Sequence, residues 1–169
     1  MGQHTAFWKA VETIHDVVYF SPETKARYEA IGLKGYWMGY FASRSAALGT
    51  PSPELVTATF HGFSPTMVRR AIPDAWGRAS RDDVLATRLD LARDAIAPIV
   101  AEHGPVDGYV ESMRIALRGL DLSGKPLAAA QASLPEPDDA VGALWWAATV
   151  FREYRGDCHV AVLTTAGLG

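Results

Sequence analysis

The sequence predicts an all-α fold, and three observations predict it. Apolar residues recur at helical spacings of three and four along most of the chain. Ser-Pro pairs stand where helices should start, at 21–22, 52–53 and 64–65. No run sustains the two-residue alternation of a half-buried strand. The stretches VVYF and ELVTATF favour strand locally, but both lie inside helical punctuation. The expectation is a compact bundle of seven to nine helices, forming a single helical domain over residues 1–169.

The elements follow in order. Residues 5–19 place Phe7, Val11, Ile14 and Val18 on one helical face. Trp8, Glu12, His15 and Tyr19 share a second face. Serine caps an orphan backbone N–H, and proline suits the first helical position, so helices should start near 22, 53 and 65. The first should end near Gly32, a suitable residue just past a helix end. KGYWMGYFASRSAALG, residues 34–49, is apolar nearly all round and predicts a buried helix. Ser80-Arg81-Asp82-Asp83 is close to a capping box before a long helix. Leu85, Leu89, Ala92, Ile96 and Ile99 form its expected core stripe, and Pro98 is expected to kink or end it before Gly104. Residues 106–119 predict a helix facing inward with Val106, Val110, Met113 and Leu117. DLSGKP reads as a loop, LAAAQAS as a short helix or turn, and LPEPDD as a breaker. The last helix should open near Asp138, with Gly156 kinking it or starting a new helix over 157–165.

Composition excludes several classes. Apolar residues make up 49% and charged residues 21%, which argues against disorder. The net charge of -3 lacks the basic excess of a phosphate-gripping surface, so DNA is not the expected partner of this segment alone. One cysteine rules out an internal disulfide and any multi-cysteine metal cage. The N-terminus lacks a signal-peptide pattern, and no apolar run reaches the ~18 residues of a membrane span. A cytoplasmic location, away from membranes, is therefore expected. The glycine-rich phosphate loops, the nucleophile elbow, HExxH and CxxC are all missing, so no cofactor is expected.

Several residues could carry chemistry. Histidines stand at 4, 15, 61, 103 and 159, with no close ligand pair. Glu12-Thr13-Ile14-His15 puts a carboxylate and an imidazole on one face, but a di-iron bundle needs that motif twice, so no metal is expected. His61 precedes Gly62, where a helix-end role competes with ligand contact. Trp37, Tyr40, Phe41, Trp145, Trp146 and Phe151, with Arg44 and Arg152, fit either a core or a pocket for an aromatic or acidic small molecule. The densest stretch is WWAATVFREYRGDCHV, residues 145–160. On a continuous helix Arg152, Arg155 and His159 share one side, with Glu153 and Asp157 beside them. A salt-bridged junction, an anion site, and a general-base His159 oriented by a carboxylate all fit, in that order.

HDVVYFSPE, LKGYWMGYFASRSAALG, VTATFHGFSPTMVRRAIPDAW and FREYRGDCHVAVLTTAGL together resemble an actinobacterial family of helix-turn-helix type, some members of which are labelled MarR-like. The resemblance covers nearly the whole chain. It implies helix-turn-helix-like elements within the bundle. It also implies that members continue past the HVAVLTTAGL block into a winged-helix-like part, so that this chain corresponds to their N-terminal helical part. It carries over no catalytic residue. The leading expectation is a ligand-sensing or dimerising domain of a transcriptional regulator. Its pocket would use Trp37, Tyr40, Phe41, Arg44 and Trp145, with Arg152 or His159 as anchor and His15 and His61 nearby. A small enzyme or resistance protein using His15, His61 or His159 is the alternative, and a structural dimer module is the third.

Overall fold

Ser21 starts the first bounded helix as its sequence demands. Its Oγ accepts the Thr24 N–H at 3.1 Å, and Pro22 fills the first turn of α1, Pro22–Ala30. The end of α1 is equally local in origin. Leu33 N–H donates to Tyr28 O, and Gly32 N–H donates to Glu29 O. These two bonds form a Schellman motif around Gly32, whose φ of 99° suits glycine. Tyr28 and Leu33, the apolar pair that accompanies this motif, are both buried.

The computed structural model describes residues 8, 17–18, 21–34, 46, 77–104 and 107–165, with 156–165 described by backbone alone. Helix α2, Arg81–His103, is capped by Ser80 Oγ on the Asp83 N–H at 3.1 Å. Helix α3 is Asp107–Arg118, α4 is Pro126–Ala132 and α5 is Ala140–Thr165. Among the described residues there are five bounded helices and no strand, which supports the all-α class. The expected count of seven to nine is not matched there. The helix starts near 53 and 65 and the buried helix over 34–49 lie outside the described residues.

Among the described residues the longest helix, α5, forms the centre. From Gly142 to Val150, α5 is buried nearly all round, packing on α4, α3 and α2, while α1 lies against α2. Val110 and Met113 of α3 face this core, as their spacing predicts. The stripe of α2 agrees with expectation at Ala92 and Ile96 and lies one residue earlier elsewhere. Val84, Arg88, Leu91, Ala92 and Ile96 are buried, whereas Leu85, Leu89 and Ile99 are partly buried at its flank.

At two positions where a kink or an end is expected, the helix does not end. Helix α2 continues past Pro98, which is exposed, and closes at Gly104. Helix α5 passes through Gly156 without interruption. One glycine in a helix costs about 1 kcal/mol. A break would orphan up to eight backbone groups at the two new ends, so continuity wins. Among the described residues no helix is long and apolar enough to cross a membrane.

Candidate functional site: a buried arginine beside an apolar cavity

Arg88 sits mid-way along α2, in the row of Val84, Leu91 and Ala92, and is only 1% exposed. That row faces α5, so the helix carries the Arg88 guanidinium into the core. Burying a charge costs several kcal/mol unless partners compensate. The partners are few. Nη1 donates to Gln131 Oε1 on α4 at 3.2 Å. The guanidinium carbon lies 4.8 Å from the centroid of the Trp145 ring, a cation–π distance. Arg88 Nε and Gln131 Nε2 are buried without a hydrogen-bond partner. Among the described residues no carboxylate pairs with Arg88.

These groups border a cavity of about 220 Å³ between α2, α4 and α5. Leu85, Ala86 and Leu89 of α2 form one wall, and Trp145 and Trp146 of α5 form another. Leu134, Pro135 and Pro137 close it from the connection between α4 and α5. The cavity reaches the surface near Ala86 and Pro135, which are exposed. Among the described residues its side-chain lining is apolar except for Arg88 and Gln131.

Side chains tie the connecting strap, residues 133–139, to α2, α3 and α5. Trp146 Nε1 donates to Leu134 O at 3.1 Å. Arg114 of α3 pairs with Glu136, its Nε lying 2.7 Å from Oε1. Arg93 of α2 pairs with Asp139. Asp139 also caps α5, accepting the Gly142 N–H at 2.9 Å. The hydrogen bond from Arg93, with help from that cap, holds the Asp139 carboxyl below its ordinary range. Gly142 admits the strap, because a Cβ there would lie 2.7 Å from Pro137 Cβ.

Of the residues expected at a site, Trp145 lines this cavity. Arg152 is half-buried, Glu153 buried and Arg155 exposed; all three lie outside the lining and are engaged by other groups. His159 lies on α5 with its side chain outside the described residues. Trp37, Tyr40, Phe41, Arg44, His15 and His61 also lie outside them. Among the described residues no group of three or more His, Cys, Asp or Glu could hold a metal ion. Sequence reasoning missed Arg88 and Gln131. The available signal was their isolation, one arginine inside an apolar stripe and one glutamine inside an alanine-rich turn.

No curated protein and no solved structure matches the chain. A family model does match, over residues 4–169, and its description is a helix-turn-helix family. Since that match spans nearly the whole sequence, this chain belongs to that helix-turn-helix family.

Proposed function

We propose that the chain is a ligand-responsive helical domain of a DNA-binding regulator. Family membership supports duplex DNA as the macromolecular partner. The net charge of -3 led the sequence reading away from DNA. Net charge is a sum over the whole surface, however, and a groove-reading helix needs only a local basic excess.

The observation that carries the ligand half is the cavity with Arg88 buried at its wall. A charge retained in a core against its desolvation cost suits recognition better than packing. In this reading Trp145 and Trp146 supply the aromatic wall and Arg88 serves as the polar anchor, the part first expected of Arg152 or His159.

Selection from a random duplex pool at low salt tests the DNA half. Enriched duplexes should bind with an affinity that falls linearly, on logarithmic axes, as salt rises. A chain that retains no duplex at low salt would overturn it.

A further inference from the structure

We infer that the cavity between α2, α4 and α5 takes a small organic monocarboxylate with an apolar body, its carboxylate held by Arg88 and Gln131. This rests on reading the cavity as a ligand site, and it names the ligand's chemistry.

The argument starts from donors and acceptors. Arg88 Nη1 is occupied by Gln131 Oε1. That contact also fixes the Gln131 amide, since its oxygen must face the guanidinium. The amide nitrogen Nε2 is thereby left as a donor, buried and unpartnered. Arg88 Nε is in the same condition. The Nε–Nη2 edge of a guanidinium presents two parallel N–H groups, the geometry that meets both oxygens of a carboxylate. Among the described lining side chains the polar end of the cavity therefore carries donors in excess, and their one acceptor, Gln131 Oε1, is already used. Such a pole suits an acceptor-only, anionic group.

The charge state follows from the count of cations. Among the described lining residues there is one guanidinium, and every other group is uncharged. A dianion such as a phosphate monoester would bring a second charge into an apolar site with nothing to meet it. A monoanion is matched. The body of the ligand follows from the walls. Leucine, proline and tryptophan side chains surround the rest of the space, so it offers apolar contact without further hydrogen bonding. Size sets the upper limit. A void of roughly 150 Å³ accommodates benzene, so about 220 Å³ accommodates one ring or a short acyl chain with its carboxylate.

The test uses the full chain with sodium benzoate as probe and benzamide as its neutral, near-isosteric control. Thermal melting and quenching of tryptophan emission are read in parallel, since Trp145 and Trp146 both border the cavity. Benzoate should raise the melting temperature and bind at least tenfold more tightly than benzamide. Arg88→Met should abolish that preference while the protein still melts cooperatively, and Arg88→Lys should weaken it by losing the two-pronged edge. Gln131→Met gives a second route that keeps the guanidinium, with a smaller expected loss. Equal binding of benzoate and benzamide would overturn the carboxylate assignment but leave the cavity as a ligand site. An equal melting shift from chloride or inorganic phosphate would replace the organic ligand by a simple anion. Binding of neither compound, with Arg88→Met altering stability alone, would overturn the ligand site itself. None of these outcomes bears on duplex binding, which is measured separately.

Discussion

A guanidinium among Val84, Leu91 and Ala92 works against the stability of the bundle. The Trp145 ring and one hydrogen bond to Gln131 offset only part of its desolvation. Replacing Arg88 by Met alone leaves the Gln131 amide buried without its partner, so the two effects should nearly cancel, to within about 1 kcal/mol. Replacing Gln131 by Leu as well removes both buried polar groups. That double variant should be more stable than the parent by about 1–2 kcal/mol in urea denaturation. A loss of stability in the double variant would mean that Arg88 is a structural necessity. Gly77 shows the opposite kind of residue. Its φ is 54°, and a Cβ there would meet Gly32 O at 2.3 Å, beside the hydrogen bond from Arg78 N–H to the same carbonyl. Gly77→Ala should therefore cost about 2–4 kcal/mol, combining the left-handed backbone with the clash. An unchanged denaturation midpoint would show that this approach of the two backbones is not required.

The strap LPEPDD illustrates what an element can and cannot announce in sequence. Its prolines marked a breaker, and the helix after it was expected to open near Asp138; α5 opens at Ala140 with Asp139 as cap. The caps at Ser21 and Ser80 were legible because capping is decided within four residues. The cavity was not legible, because its walls come from positions 85–89, 131–137 and 145–146. Nothing local brings Gln131 to Arg88. The one-residue error in the α2 stripe had a similar cause. Leu85 and Leu89 look more like core than Arg88 does, yet the face toward α5 is set by tertiary packing. The role of Asp139 gives two predictions at this scale. Asp139→Ala should cost about 1 kcal/mol through the lost cap. Asp139→Asn should cost less, because asparagine caps as well and only a half-exposed ion pair is lost. Since the folded carboxyl titrates below its ordinary range, its contribution is complete above the unfolded value of about 3.9 and is lost as pH falls through the folded one. The melting temperature should therefore fall between pH 4 and pH 2 by more in the parent than in Asp139→Asn. Parallel curves would show that the Arg93–Asp139 contact is not formed in solution.

At the scale of the molecule, α5 connects the cavity to the rest of the chain. Trp145 and Trp146 stand near its start, and the same helix runs unbroken to Thr165. At 1.5 Å per residue, 26 residues span about 39 Å. A ligand beside Trp145 would therefore contact a continuous helix whose far end lies well away from the cavity. For a regulator, that arrangement makes a quantitative demand. If a carboxylate in the cavity changes the affinity for duplex DNA by some factor, duplex DNA must change the affinity for the carboxylate by the same factor. Couplings of this kind typically amount to 5- to 150-fold. The duplex enriched by selection should thus bind at least fivefold more weakly, or more tightly, at saturating benzoate. The benzoate titration repeated on the protein–DNA complex should shift by the same ratio. Arg88→Met should bind that duplex normally and lose the response to benzoate, because it changes a cavity residue that is 1% exposed and cannot touch DNA directly. Duplex affinity that stays constant from zero to saturating benzoate would separate the two halves of the proposal. The cavity would then serve a bound small molecule without controlling recognition.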